Sequence, residues 1–306
     1  MMSGYLSIIV ASILFGVAGA VAKMLFHADI TPLDLTILRA FVAFGVLAAL
    51  GGLGIFSLRV TRKDIPYLLG LGLLLSAVNY TFYLSISLTS VAVAIMLEYT
   101  APVFVLVFGI AAGTSRLDKA TSIVLALSIS GCFLLAGGYD AEFFHENFWG
   151  VMAGLLCGAS FALYNIWGNR GHERKLSSWT MTFYSFGVSA VFWGFFTPAM
   201  TVGTASFNPE TIGYLIFIGV FATVLPYWLY IFGLKTVPAF QATVIGMLDP
   251  IAAAIAAFIL VGEALQAAQI AGIGLILAAI LYLKKRDEKE PAPAEPSSVP
   301  ERSTAT

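Results

Sequence analysis

Residues 90–112 read SVAVAIMLEYTAPVFVLVFGIAA, and residues 239–261 read AFQATVIGMLDPIAAAIAAFILV. Each is an apolar run long enough to cross the roughly 30 Å hydrocarbon core of a bilayer as a helix. Each also carries one acid and one proline near its middle, Glu98 and Pro102 in the first, Asp249 and Pro250 in the second. A charge at that depth is costly, so it faces a partner or a wet cavity. A proline there interrupts the helix and leaves a backbone carbonyl without its donor. Two such stretches, their prolines 148 residues apart, point to a membrane-embedded site.

The rest of the chain agrees with a bilayer as solvent. Of 306 residues 59% are hydrophobic and 11% charged, whereas a soluble globular chain carries about a quarter charged. So few charges cannot cover a water-facing surface. Apolar stretches predict spans at about 3–25, 33–54, 65–86, 90–112, 120–138, 149–168, 178–199, 211–234, 239–261 and 268–283. The run from Ser3 lacks a basic leader and exceeds a signal-peptide core, so it reads as a first span.

Charge sets the sidedness. With the N-terminus cytoplasmic, the inner loops hold Arg59, Arg62, Lys63, Arg116, Lys119, Arg170, Arg174, Lys175, Lys235, Lys284, Lys285 and Arg286. The outer loops hold Asp29, Asp140, Glu142, Glu146 and Glu210 and no Lys or Arg. That alternation follows the positive-inside rule and predicts both termini inside.

A repeat accompanies it. A shift of 146 lays Gly4, Ser12, Phe15 and Gly16 on Gly150, Gly158, Phe161 and Ala162; a shift of 148 lays Tyr80, Ala94, Pro102 and Leu117 on Trp228, Ala242, Pro250 and Leu265. Five spans per half is an odd number, so the second half enters the membrane from the opposite side. The expected fold is an all-α membrane protein of ten transmembrane helices in two inverted-topology five-helix repeats, 3–138 and 149–284, followed by a disordered cytoplasmic tail, 285–306, rich in Pro, Glu, Ser and Ala. Inverted repeats are characteristic of secondary transporters. The small-residue ladders Ser12, Gly16, Ala20 and Gly150, Gly154, Gly158 each occupy one helix face, where they let backbones approach or form a sliding surface.

Candidate site residues follow from depth and symmetry. Lys23 lies near the outer end of its helix and is expected to snorkel. Arg39, a turn or two in, suits either a paired structural role or a functional one. Positions 98 and 101 share a helix face, and 101 is the counterpart of Asp249, so Glu98 and Asp249 project in equivalent directions. Glu98 reads either as a substrate or proton site or as half of a buried ion pair, with Arg39 the nearest candidate partner. The third span carries a polar stripe of Ser76, Asn79, Tyr80, Tyr83 and Ser87, and its counterpart offers Tyr227, Trp228 and Tyr230. With Tyr99 these rings suit a planar substrate or a cation, and Tyr164 and Asn165 add polar groups in the sixth span. Pro102 and Pro250 are the expected gating breaks.

Cys132 and Cys157 read as packing residues, not as a disulfide or zinc site. His27, His145 and His172 fall in expected loops, which leaves Glu98 and Asp249 as the candidate proton carriers. There is no GxxxxGK[ST] phosphate loop and no HExxH, GxSxG or Ser/His/Asp arrangement. ATP coupling within the chain and an enzyme reading are both disfavoured; no cofactor, metal or nucleic-acid partner is expected.

Phe82-Tyr83, followed by Ala92, Ala94, Leu97 and Tyr99-Thr100-Ala101-Pro102-Val103, resembles the EamA repeat of the drug/metabolite transporter superfamily. Ala242, Leu248, Asp249-Pro250, Gly262-Glu263 and residues 272–281 resemble the ending of that family's second repeat. The first repeat departs from the pattern, because Gly113-Thr114-Ser115 carries no acid where a Gly-Glu turn is common. The resemblance implies an inner-membrane carrier of a small organic solute. Substrate does not follow from such a fold. Glu98 suits an amino group, Arg39 a carboxylate and the tyrosines an apolar or aromatic side chain. That combination favours an amino acid or related zwitterion, with export the favoured direction and protons or exchange the source of coupling. A choline-like quaternary amine or a vitamin, taken up, is the alternative, and a membrane receptor or embedded enzyme is the alternative of another class.

Overall fold

The structure is a computed structural model that describes residues 2–27, 30–136, 147–201, 209–261 and 266–289. Among the described residues all regular structure is helical. The helices are α1 (Met2–His27), α2 (Pro32–Gly52), α3 (Ile65–Leu88), α4 (Val91–Glu98), α5 (Ala101–Ala111), α6 (Lys119–Ala136), α7 (Phe148–Glu173), α8 (Ser178–Gly194), α9 (Pro209–Gly219), α10 (Leu225–Gly233), α11 (Ala239–Gly246), α12 (Leu248–Val261) and α13 (Ala267–Lys289). A π-helical turn, Val220–Val224, joins α9 to α10.

Among the described residues six stretches are long and apolar enough to cross a bilayer: Pro32–Gly52, Ile65–Leu88, Val93–Ala111, Phe148–Glu173, Ile212–Gly233 and Ala267–Arg286. Shorter apolar helices lie at Gly4–Ala18, Lys119–Leu135 and Ala239–Ile255. Large apolar side chains such as Leu6, Ile13, Val191, Phe221 and Leu281 point outward, as lipid-facing surfaces require.

The expected spans at 90–112 and 239–261 each contain two helices, parting at Tyr99-Thr100 and at Met247. Both breaks come just before the proline, because a residue without an N–H is tolerated only in the first turn of a new helix. His27 and His172 sit at the ends of α1 and α7, inside helices and not in loops. The final helix continues to Lys289, past the expected start of the tail. The rest of the tail, Gly262-Glu263, His145 and the outer-loop acids Asp29, Asp140, Glu142 and Glu146 lie outside the described residues.

Helix starts are written in the sequence. Thr31 and Asp34 form a reciprocal capping box on α2, with Pro32 in its first turn. Ser90 accepts from the Val93 N–H at the head of α4, and Ser177 accepts from the Thr180 N–H at the head of α8. Each satisfies a donor that the first turn leaves open.

Packing exchanges partners between the halves. Helix α1 lies against α10, α11 and α12, while α7 lies against α3, α4 and α5; α6 pairs with α13 and α2 with α8. Small residues make these approaches possible. A Cβ at Gly16 would stand 2.5 Å from the Asp249 carbonyl oxygen, and one at Gly158 would stand 2.8 Å from that of Leu97. Gly131 and Gly272 meet backbone to backbone where α6 crosses α13. The ladder residues Gly16 and Gly158 thus seat α1 and α7 against the broken helices.

Gly16→Ala should therefore lower stability by about 1–3 kcal/mol, since the added methyl meets main chain that cannot swing away. Gly45→Ala, with nothing within 4 Å of the new Cβ, should be neutral or stabilising. Thermal unfolding of the two purified variants in detergent compares them, and equal shifts would sink the close-approach argument.

Candidate functional site

The site forms where α2, α3, α7, the π-helical turn, α10 and the two helix breaks converge. Arg39 on α2 is buried, 6% exposed. Its Nε donates to Thr223 Oγ1 at 2.5 Å, Nη1 to Asn79 Oδ1 at 3.0 Å and to the Tyr83 hydroxyl at 2.6 Å, and Nη2 to the Ala222 carbonyl at 3.2 Å. The guanidinium carbon stands 5.5 Å from the Tyr83 ring centre and 5.6 Å from that of Tyr227. Every acceptor is neutral. Among the described residues the ion pairs are Arg174–Asp64 and Arg286–Asp118, both toward helix ends, and none joins Arg39 to a carboxylate within 4.0 Å. The ion pair with Glu98 that the sequence left open is therefore not formed.

Asn79 ties the two halves together. Its Oδ1 also accepts from the Tyr227 hydroxyl at 3.1 Å, and Tyr227 is its counterpart under the 148-residue shift. Both residues come from equivalent turns of α3 and α10, so the hydrogen bond links matched positions of the repeat. Edge contacts from Phe15 at 4.9 Å and Phe186 at 5.4 Å hold the Tyr227 ring.

Glu98 closes α4 and is partly exposed. It lies beside the Cys157 thiol and within electrostatic reach of Arg39, Asp249, Tyr83, Tyr99, Tyr227 and Tyr230. It thus stands among the polar groups of both halves. Asp249, in the first turn of α12, is 5% exposed; its Oδ2 accepts from the Tyr99 hydroxyl at 3.1 Å, whereas Oδ1 has no partner among the described residues. Tyr99 sits in the α4–α5 break and Asp249 just past the α11–α12 break, so this bond joins the two interruptions. Pro102 and Pro250, both buried, follow the breaks as second and third residues of their helices.

On α7, Asn165 Nδ2 donates to the Phe161 carbonyl at 2.8 Å, and its Oδ1, like the Tyr164 and Tyr230 hydroxyls, has no partner among the described residues. Two expected site residues face elsewhere. Tyr80 packs on Trp193, 5.1 Å between ring centres, and Trp228 stacks on Trp179 at 4.5 Å. Both partners belong to α8, so this matched pair buttresses that helix. Ser76 joins them by bonding Ser189 at 2.9 Å. Sequence reasoning missed Thr223 and the Ala222 carbonyl, although Pro226, four residues beyond Ala222, was a legible signal of an orphaned carbonyl. Cys157, read as a packing residue, is buried with its thiol donating to the Val78 carbonyl at 3.5 Å.

Comparisons with known proteins converge. The EamA-like transporter family matches residues 2–137 and again 148–284. An uncharacterized transporter of Archaeoglobus fulgidus is 28% identical over 279 residues, covering 91% of this chain and 95% of its own length. The threonine/homoserine exporter RhtA of Escherichia coli is 29% identical over 263 residues, covering 85% and 84%. A crystal structure superposes with a TM-score of 0.75 over 94% of this chain and 99% of its own, at 16% identity, and so speaks to the fold alone.

The Tyr99–Asp249 bond makes a local prediction. Tyr99→Phe leaves the buried carboxyl without its donor and should cost about 1–3 kcal/mol. In an Asp249→Leu background the same change should cost far less, since no carboxyl remains to be orphaned. Unfolding of the two singles and the double measures the coupling; additive losses would mean the bond contributes nothing.

Proposed function

The chain belongs to the EamA-like transporter family as an integral membrane transporter, and we propose that it carries an amino acid or related zwitterion out of the cell by alternating access. The observation that carries this reading is Arg39, a buried guanidinium with no carboxylate within 4.0 Å among the described residues. A permanent charge held in a low-dielectric site without a counter-ion favours an anionic group on whatever enters. A substrate carboxylate fits, bound by Arg39 and Tyr83, with Asn79 holding the guanidinium. Glu98, partly exposed and set among Tyr83, Tyr99, Tyr227 and Tyr230, suits the substrate ammonium. Asp249, bonded to Tyr99, is the candidate proton carrier; Asn165 adds a polar contact. Tyr80 and Trp228, packed against α8, support the site from behind in this reading.

In this reading the chain crosses the bacterial inner membrane ten times as inverted repeats, residues 3–138 and 149–284, with both termini cytoplasmic. The breaks at Pro102 and Pro250 supply the gating hinges. The threonine/homoserine specificity carried by the name of RhtA makes those amino acids the first substrates to try. A choline-like cation satisfies Glu98 and the tyrosines but would meet the Arg39 charge, which argues against it.

Purified protein in liposomes loaded with L-threonine should release it on dilution. Arg39→Met should weaken threonine binding by about 10- to 150-fold, the loss of a charge-assisted contact of about 1.5–3 kcal/mol. Glu98→Gln should abolish net transport. Release of choline in preference to any zwitterion, with Arg39→Met unaffected, would overturn the assignment.

Orientation is tested separately. A cysteine placed at Asn147 should react with an impermeant thiol reagent applied to intact cells, and one at Ser177 should not. The opposite labelling pattern would reverse the topology.

A further inference from the structure

We propose that Thr223 and the Ala222 carbonyl are positioning groups for carboxylate recognition, fixing the Arg39 guanidinium from a π-helical turn that Pro226 keeps open. The proposal rests on Arg39 as the carboxylate-binding residue and adds how its donors are aimed.

The argument starts from hydrogen bonds that α10 cannot make. In an α-helix the N–H of residue 226 would bond the carbonyl of residue 222. Pro226 has no N–H, so the Ala222 oxygen loses the donor that a regular α-helix would give it. Ala222 is 1% exposed, and a buried carbonyl needs a partner. Arg39 Nη2 supplies it at 3.2 Å. The wider turn, marked by the Leu225 N–H reaching back to the Val220 carbonyl, also fixes the Thr223 hydroxyl. Its hydrogen goes to the Ile218 carbonyl at 2.5 Å, which leaves a lone pair for Arg39 Nε, also at 2.5 Å.

Nε–H and one Nη2–H form the side fork of the guanidinium, and the two acceptors that hold it come from consecutive residues of one turn. The fork sets the plane of the group. Nη1 is occupied by Asn79 and Tyr83, so four of the five N–H donors of an arginine are committed. The second Nη2 hydrogen remains, together with the Tyr83 O–H, whose oxygen accepts from Nη1. Those two donors form the recognition edge for a carboxylate. Free rotation of the guanidinium would lose that edge.

The first half lacks this device. Under the 148-residue shift Thr223 and Pro226 fall on Leu75 and Val78, and α3 runs unbroken over Ile65–Leu88. The π-helical turn is therefore a feature of one half, not a consequence of the repeat.

The test uses the full chain in liposomes with L-threonine as probe. Thr223→Val should raise the half-saturation concentration about tenfold with maximal rate within about twofold, and Thr223→Ser should restore it. Pro226→Ala returns an N–H to the Ala222 carbonyl in competition with Arg39, and should raise half-saturation as well, which keeps the idea testable where Thr223→Val does not fold. Lysine has no side fork, so Thr223→Val should add nothing in an Arg39→Lys background. Wild-type half-saturation in both Thr223→Val and Pro226→Ala, beside a weakened Arg39→Lys, would overturn the positioning role alone. An equal Thr223→Val loss in the Arg39→Lys background would assign Thr223 to packing. Unchanged half-saturation in Arg39→Lys would overturn the carboxylate reading and this proposal with it.

Discussion

Inside a bilayer no solvent is available to bond a stray carbonyl or N–H, and the architecture follows from meeting that constraint within the chain. Three prolines, at 102, 226 and 250, each remove one backbone donor from an apolar helix. After Glu98 and Gly246 the chain answers by ending one helix and beginning another. At Ala222 it answers with a side chain from α2, and that side chain is Arg39. The interruption of α9–α10 and the burial of the Arg39 guanidinium are thus two sides of the same arrangement.

A buried guanidinium among neutral acceptors is an energetic oddity. A structural arginine in a membrane helix is normally neutralised by an acid, because desolvating the charge costs several kcal/mol. Here the polar atoms that receive it are well placed but uncharged, and the central acid, Glu98, stands off from it. The Tyr83 and Tyr227 rings face the guanidinium, and the carboxyls of Glu98 and Asp249 stand apart from it.

The helix breaks need close neighbours. Gly16 and Gly158 bring α1 and α7 against the main chain of the interrupted segments, where any side chain would collide. The same glycines that make packing tight also place Phe15 and Phe161, one position to three positions along their helices, against Tyr227 and Tyr230. Packing and site geometry therefore share residues, and a change made to either is felt in both.

Much of this was legible in the sequence, because the properties concerned are periodic or local. Apolar length, the alternation of charge between loops, the 148-residue recurrence of Pro102 as Pro250, and the caps at Thr31, Ser90 and Ser177 depend on residues near one another in the chain. The candidate site was legible in part: Arg39, Asn79, Tyr83, Glu98, Tyr99, Tyr227 and Asp249 do converge. What the sequence could not decide was which face of each helix turns inward and what it meets there. Tyr80 and Tyr83 sit three positions apart on α3, yet one packs on Trp193 and the other receives Arg39. Trp228 follows Tyr227 directly and turns to Trp179. The meeting of Arg39 with Thr223, 184 residues away, depends on the crossing of α2 with the π-helical turn. That crossing is set by packing across the whole bundle, and no local pattern encodes it.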